Sequence, residues 1–366
     1  MSLKTTFMGF EARNPLMPAA GPNVRDAKAC IDCIKGGCGV MVTKTISTKA
    51  APVPCPNMYQ SKDHKYFLNT ELWTELTPEQ WLEYEYPKIR AVCDQAKVPM
   101  FCSMGYTAEE IAEMAPKVAK YADGLELSTH YISDDPKPMQ DAVRAAIKGS
   151  GGKPVLVKLS PFRDAHIAAK AAKEAGASGI VCINSFGPTL ALDIERKGAP
   201  YMGSDSKYGW MSGPAIKPIA MRTVYDVARE NIGIPIVAVG GISNGRDAIE
   251  YLMAGAQYCG ICTAAIVQGR DVYGKIAKQM SEWLHAHGYK DVHEIIGLGI
   301  KHAPLKQTKS PLIDESKCIG CGTCATSCLY SALSVKDSVA VCDETKCFKC
   351  GLCYTRCPVG AISIRG

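Results

Sequence analysis

The chain has 366 residues, a length that predicts one large domain with a small one, or two to three domains. Hydrophobic residues make up 47% and the formal net charge is +6, with lysines spread along the chain, which predicts a globular core and argues against nucleic-acid binding. No apolar run approaches the ~18 residues of a membrane span and the N-terminal stretch lacks a secretory apolar segment, so we expect a cytoplasmic protein without membrane contact.

Apolar, β-branched stretches alternate with helix-like stretches through most of the chain. The predicted strands are residues 14–21, 39–47, 99–105, 124–129, 154–161, 179–186, 234–242 and 258–265. Several intervening helical stretches stop at glycine, as helix C-termini do. Strand and helix repeated in this way predict an α/β fold, a (β/α)8 TIM barrel. The alternative is an open doubly wound sheet, which would normally carry GxGxxG after an early strand, and the sequence has none there.

Barrel chemistry belongs to the C-terminal ends of the strands. Lys44 ends the second predicted strand and Lys158 lies near the end of the fifth. Glycines 240–241 end the seventh strand, small residues follow the eighth, and a helix begins nearby at "SNGRDA", which together predict a phosphate site. Two long loops, 48–78 and 187–213, follow the second and sixth strands. Loops of that length are usually lids or binding loops.

The end of the chain carries eight cysteines in two runs of identical spacing. They are Cys318, Cys321, Cys324 and Cys328, then Cys347, Cys350, Cys353 and Cys357. This is the bacterial ferredoxin pattern, in which the last cysteine of each run ligates the other cluster. We therefore assign two [4Fe–4S] clusters, one on Cys318, Cys321, Cys324 and Cys357 and the other on Cys347, Cys350, Cys353 and Cys328. The alternative is zinc, whose cysteine pairs do not repeat in this way.

These patterns predict a barrel over residues 1–295, a linker over 296–310 and a ferredoxin-like domain with two [4Fe–4S] clusters over 311–366. A tail of this size buries too little surface to fold alone, so the clusters must hold it together. A barrel with a phosphate site, two strand-end lysines and a downstream electron relay suggests flavin mononucleotide (FMN) as the cofactor of the barrel.

The motifs "TKTIS", "FLNTELW", "VKLSP", "SGPAIKPIA" and "VAVGGI", with the double cysteine run, resemble the dihydroorotate dehydrogenase-like family. The closest resemblance is to the flavin and iron–sulfur catalytic part of dihydropyrimidine dehydrogenases, including the small bacterial subunit form. It covers about residues 5–285 and 311–364 in the same order. The resemblance implies bound FMN and, by analogy alone, a homodimer.

The resemblance also implies roles for matching positions. Lys44, which would also be catalytic, and Lys158 match lysines that contact the flavin, where a cation favours the negatively charged reduced ring. The other implied flavin contacts are Ala20, Thr43, Asn184, Gly213, Gly240, Gly241, Cys262 and Thr263. The expected substrate contacts are Ser128, Asn184 and Ser185.

One segment departs from the family pattern. After the fourth strand the family has an asparagine that binds the pyrimidine, followed by Leu-Ser-Cys-Pro, whose cysteine is the acid and base. This chain reads "ELSTHYISDDP", with Ser128 in place of the asparagine and Tyr131 in place of the cysteine, beside His130. Phenol and imidazole both donate protons, so we expect Tyr131, or else His130, to be the proton donor. The alternative is that both only line the pocket.

We therefore predict an oxidoreductase that reduces or oxidises a C=C bond next to a carbonyl in a cyclic substrate. The changed loop favours an aromatic or heteroaromatic ring other than a standard pyrimidine. Two alternatives are a dihydropyrimidine dehydrogenase acting on uracil or thymine and an electron-transfer subunit without catalysis. Because no nicotinamide fingerprint is present, we expect an external electron partner, either a ferredoxin or an NAD(P)H-oxidising flavoprotein subunit.

Overall fold

A computed structural model describes residues 1–128, 135–161 and 164–365. The chain divides into two compact units, Met1–Lys301 and His302–Gly366, each with a core of its own. Among the described residues, none of the helices combines the length and the apolar character that a membrane crossing requires.

The first unit is built on an eight-stranded sheet in which every pairing is parallel. Its strands are β1 Leu16–Pro18, β2 Met41–Val42, β3 Met100–Met104, β4 Gly124–Ser128, β5 Val155–Leu159, β6 Gly179–Cys182, β7 Ile236–Val239 and β8 Tyr258–Ile261. They lie in the order β1-β8-β7-β6-β5-β4-β3-β2. The ends of this order meet, since the Gly39 N–H donates to the Leu16 carbonyl over 2.7 Å. The predicted barrel is confirmed.

A helix precedes each strand after the first, and one follows the last. The helices are α1 Ala27–Lys35, α2 Tyr86–Ala96, α3 Ala108–Val118, α4 Lys137–Gly149, α5 Ala165–Glu174, α6 Lys217–Arg229, α7 Gly245–Met253 and α8 Val272–Ala286. Side-chain caps fix several starts: Asp26 accepts from the Ala29 N–H, and Thr107 forms a capping box with Glu110. Each helix lies in a stretch that the sequence pattern predicts to be helical.

Several predicted strands end earlier than expected, most of all the one predicted over 39–47, which ends at Val42. The pattern predicts one strand over residues 258–265, but β8 ends at Ile261 and Thr263–Val267 is a short helix. Residues 179–186 contain only β6, which ends at Cys182, before a separate strand begins at residue 186. A short apolar run does not distinguish a buried strand from a buried helical turn, so periodicity alone misplaced these ends.

An N-terminal hairpin, Thr5–Phe7 with Phe10–Ala12, fills the end of the barrel at which the strands begin. The Phe7 ring packs edge-on against Phe101 at 4.8 Å and against Tyr258 at 4.6 Å between ring centroids. These contacts close that end with apolar rings. A binding site therefore has room only at the opposite end, where the strands finish.

The two long loops pair with each other rather than covering the barrel separately. Together they form a four-stranded antiparallel sheet, the lid sheet. In spatial order its strands are Phe186–Thr189, Gly209–Ser212, Phe67–Asn69 and Met58–Gln60. Its central pairing joins Met211 to Leu68, so segments from the loops after β2 and after β6 lie side by side.

The second unit is small and has little regular structure. It contains two antiparallel strand pairs, Leu312–Ile313 with Ile362–Ser363 and Leu333–Lys336 with Val339–Cys342. Its buried apolar core comprises Cys324, Leu333, Ala340 and Ile362. So small a core does not stabilise a unit of this size by burial alone.

Candidate active site

A cavity of about 930 Å³ lies where the barrel strands end, and the lid sheet contributes to its wall. The predicted residues that line it are Ala20, Lys44, Ser128, Lys158, Asn184, Ser185, Gly213, Gly240, Gly241, Cys262 and Thr263. Thr43 is not among the described residues that line the cavity. Its side chain is fully buried, and its Oγ1 accepts from the Ser103 N–H at 3.3 Å. His130 and Tyr131 fall outside the described residues.

Lys44 follows β2 and is 1% exposed. Its Nζ forms an ion pair with the Glu71 carboxylate and donates to the Leu72 carbonyl at 3.3 Å. The second Glu71 oxygen accepts from Asn57 Nδ2 at 2.8 Å. Sequence reasoning did not assign a role to Glu71, which follows a lid-sheet strand. The structure thus joins a lysine of the barrel to a carboxylate of the lid.

Lys158 is the second buried cation, on β5. Its Nζ donates to the Ala20 carbonyl at 3.2 Å and lies 3.8 Å from Glu126 Oε1. Among the described residues, that Glu126 oxygen has no hydrogen-bond partner. Burial raises the pKa of Glu126, and the Lys158 charge and a hydrogen bond with Ser103 oppose this rise. Sequence reasoning missed Glu126, although a charged residue inside the apolar stretch "GLELS" was a usable signal.

Two glycines follow β7, where a side chain would not fit. Gly240 has φ +139°, and a Cβ there would lie 2.5 Å from the Ala220 Cβ. Gly241 has φ +74°, and a Cβ there would lie 2.8 Å from the Lys217 Cβ. Left-handed backbone and close neighbours both require glycine, so bare peptide groups face the cavity here.

Hydroxyl groups stand beside this glycine pair. Ser212 Oγ and Thr263 Oγ1 are 2.8 Å apart, next to Gly213, whose φ is +79°. Asn244 caps α7 by accepting from the Asp247 N–H. Peptide groups that line the cavity after β7, with the hydroxyls of Ser212 and Thr263 beside them, are suited to bind a phosphate.

Cys262 and Tyr106 also line the cavity, and both are uncharged near neutral pH. Burial raises the pKa of the Cys262 thiol to about 11, although Lys158 and Lys44 pull it down, so the thiol stays protonated near neutral pH. Tyr106, which sequence reasoning did not select, packs edge-on against Trp73 with 4.9 Å between ring centroids. Burial raises the pKa of Tyr106 as well. Its phenol therefore keeps its proton beside the cavity.

These features fit FMN. The glycine pair and the hydroxyls of Ser212 and Thr263 suit its phosphate and ribityl chain, and two buried lysines offer positive charge to the polar edge of its ring.

Within the described part of the second unit, two cavities each gather four cysteines. The larger, about 350 Å³, is lined by Cys328, Cys347, Cys350 and Cys353. The other, about 330 Å³, is lined by Cys318, Cys321, Cys324 and Cys357. No three Cys, His, Asp or Glu side chains of the described residues converge as they would on a single metal ion. Thiols set around a space instead suit the corners of an iron–sulfur cube.

The fold and the site define a flavin-dependent barrel oxidoreductase that carries a two-cluster ferredoxin domain in the same chain. The chain belongs to the dihydroorotate dehydrogenase family, whose model, described as dihydroorotate dehydrogenase, matches residues 2–284. A model described as a 4Fe-4S dicluster domain matches residues 307–361. These matches confirm FMN, two [4Fe–4S] clusters and an oxidoreductase acting on CH–CH bonds.

Similar proteins include the catalytic subunits of dihydroorotate dehydrogenase B (NAD(+)) from three archaea. The Methanothermobacter thermautotrophicus protein is 33% identical over 313 residues, 81% of this chain and 98% of its own. The Pyrococcus abyssi protein is 32% identical over 314 residues, 82% of this chain and 99% of its own. The Methanocaldococcus jannaschii protein is 33% identical over 307 residues, 81% and 97% respectively. These relatives match over nearly their whole length and leave about a fifth of this chain unmatched.

Proposed function

We propose that this enzyme adds or removes two hydrogens across a C=C bond next to a carbonyl in a cyclic substrate, an aromatic or heteroaromatic ring other than a standard pyrimidine. The observation that carries the proposal is Ser128, buried at the end of β4 and lining the cavity. The resemblance to dihydropyrimidine dehydrogenases places a pyrimidine-binding asparagine at this position. A serine offers one short hydroxyl where that amide would pair with two ring atoms.

We assign separate roles to the residues around the flavin ring. Bound FMN supplies hydride transfer at N5. Lys44 and Lys158 would hold the bound ring and place positive charge beside it, and their buried setting would strengthen this attraction. The lid sheet limits water access to the cavity. Tyr131, with His130 as the alternative, donates or removes the proton on the neighbouring carbon. Asn184 and Ser185 line the cavity, and we assign them to the boundary between flavin and substrate.

We infer that electrons reach the barrel one at a time through the second unit. The two cysteine groups there would hold clusters that supply single-electron exchange with a partner protein. The relatives named above are catalytic subunits of NAD(+)-linked enzymes, which supports a separate electron-carrying protein here also. We propose a ferredoxin or an NAD(P)H-oxidising flavoprotein subunit as that partner. By analogy with the proteins that the motifs resemble, we also propose a homodimer.

Two activities on pyrimidine rings are the second candidates. The names of the relatives favour dihydroorotate. The motif resemblance to dihydropyrimidine dehydrogenases favours uracil or thymine.

The test is reoxidation of the dithionite-reduced enzyme under anaerobic conditions. We expect phenolic or heteroaromatic ring compounds to restore the flavin absorbance, while uracil, thymine and orotate do not. Rapid reoxidation by one of these three would instead support the corresponding pyrimidine activity. If no small molecule reacts but a ferredoxin does, the catalytic proposal is wrong. Tyr131→Phe should slow reoxidation strongly and leave reduction of the flavin unchanged, whereas an unaffected variant would exclude Tyr131 as the proton donor.

A further inference from the structure

Strand β4 carries a carboxylate into the barrel interior, one layer below the cavity. Leu125 and Leu127 belong to the apolar cluster shared with the surrounding helices, so the alternation of a strand turns Glu126 and Ser128 toward the barrel axis. Glu126 is 2% exposed, and its register partner on β5 is Leu156, which belongs to the apolar cluster inside the barrel. An apolar side chain would fill this layer at lower cost, so the carboxylate points to a role beyond packing.

The ion-pair partner of this carboxylate is Lys158, which lies opposite Ser128 in the register of β4 and β5. Lys158 Nζ lies 3.8 Å from Glu126 Oε1 and donates to the Ala20 carbonyl at 3.2 Å. Ala20 and Lys158 both line the cavity, whereas Glu126 is not among the described lining residues. The ammonium group therefore lies between the cavity wall and a carboxylate behind that wall.

The two buried lysines differ in how fully their charge is matched. Lys44 Nζ makes a hydrogen-bonded ion pair with one oxygen of Glu71, and Asn57 binds the other oxygen. The Glu126 oxygen near Lys158 lies beyond hydrogen-bonding distance, and within the three described segments of the chain it has no hydrogen-bond partner. Lys44 is therefore tied to the lid sheet, whereas Lys158 is held loosely and its charge is only partly offset.

The charge on Glu126 depends on Lys158. Burial disfavours a carboxylate and raises the pKa of Glu126, whereas the Lys158 ammonium opposes this rise. Without that cation, a carboxyl group buried in an apolar layer gains a proton and becomes neutral. Because salt screens buried charges little, the two groups act on the cavity as one unit.

We propose that Glu126 is a positioning residue for the flavin site: its carboxylate holds the Lys158 ammonium at the cavity wall and offsets part of its charge, which lowers the reduction potential of bound FMN. A cation beside the ring stabilises the more negative reduced form, so a carboxylate behind that cation has the opposite effect. A lower potential favours passing hydride onward to the substrate. The inference rests on the proposed role of Lys158 as a flavin contact.

A redox titration of the full-length, FMN-loaded enzyme tests this inference, with flavin followed by absorbance and the clusters by EPR in the same samples. Glu126→Gln keeps the size of the side chain and removes its charge, so we expect it to raise the flavin potential. The expected shift is at least a tenfold change in the ratio of reduced to oxidised flavin, which corresponds to about 30 mV for two electrons. Glu126→Asp retains the charge but moves it away from Lys158. It should give a smaller rise, which tests the inference even if Glu126→Gln does not fold.

The matched control is Glu85→Gln, which also replaces a buried carboxylate by an amide. Glu85 accepts from the Ala27 N–H at 2.7 Å and is not among the described residues that line the cavity. This variant should leave the flavin potential unchanged. An equal rise in Glu85→Gln and Glu126→Gln would overturn the inference, because the effect would then follow from any buried carboxylate.

A double variant tests whether the effect passes through Lys158. Lys158→Met removes the cation and should lower the flavin potential. Adding Glu126→Gln to it should change nothing further, because a lone buried carboxyl group is already neutral. The inference is overturned if Glu126→Gln leaves the potential unchanged, or if it raises the potential equally with and without Lys158. A shift in Lys158→Met alone confines that failure to Glu126, whereas no shift in either variant shows that the proposed flavin role of Lys158 is also wrong.

Discussion

The ion pair between Lys44 and Glu71 is a contact that fastens the lid sheet to the barrel, and we predict that Glu71→Gln loosens the lid. The Lys44 and Glu71 side chains are 2% and 11% exposed. Removing one partner of a buried pair costs about 3–5 kcal/mol, whereas an exposed pair contributes about 0–1 kcal/mol. Glutamine keeps the size of the side chain and the bond from Asn57, so the variant isolates the charge.

Hydrogen exchange measured by mass spectrometry reports this loss segment by segment. The amides of Thr70 and Thr74 donate to the carbonyls of Asn57 and Thr45 at 2.8 and 2.9 Å, so they exchange only when the lid opens. Since 1.4 kcal/mol is a factor of ten, exchange over residues 57–74 should accelerate by roughly two to three and a half orders of magnitude, or until protection is lost.

Glu75→Gln is the matched control, because Glu75 is an exposed carboxylate of the same loop. It should leave exchange in the segment unchanged. If the exchange rate over residues 57–74 in Glu71→Gln also stays within about threefold of that in the unmodified protein, the ion pair contributes no more than a surface pair. The lid sheet is then held by other interactions.

Three further predictions concern the cofactor sites. Gly240→Ala places a Cβ 2.5 Å from its nearest neighbour and should weaken FMN binding, measured by equilibrium titration, roughly 10- to 100-fold. The control Gly151→Ala should not weaken binding, because its Cβ would meet no described atom within 4 Å. Chelation of iron should unfold His302–Gly366 before the barrel, seen as loss of exchange protection in that unit alone; retained protection would show that the unit folds without clusters. Because burial raises the pKa of Cys262 to about 11, its alkylation in flavin-free protein should stay slow until pH approaches that value, while exposed Cys55 reacts earlier; equal rates would contradict the burial.

The barrel was predictable because each strand is a local apolar run and each helix a local periodic pattern. Lys44 and Lys158 were also accessible to sequence reasoning, since the fold places strand ends at one face and a lysine there has few structural roles. The role of Glu71 was not accessible to sequence reasoning, because its partner is set by the register between two distant loop segments. Local sequence carries no information about that pairing.

In the second unit, too, local sequence predicts some features while others depend on how distant segments pair. Cysteine spacing predicted two groups of four, and the two cavities gather the thiols in those groups. The donors near the ligand sulfurs, such as the Ala340 N–H at Cys318 Sγ, become visible only once the chain is folded. Spacing within a run identifies metal ligands, whereas the donors around them depend on how the chain folds back.

We infer that electrons pass through the cysteine-bound clusters of the second unit to the flavin of the barrel. The most direct measurement is stopped-flow absorbance of flavin reduction by a reduced ferredoxin, in the unmodified enzyme and in Cys350→Ala. We expect prompt reduction in the unmodified enzyme and none in the variant, although dithionite still reduces its flavin. Equal rates of flavin reduction by ferredoxin in both proteins would show that the electrons do not pass through these clusters.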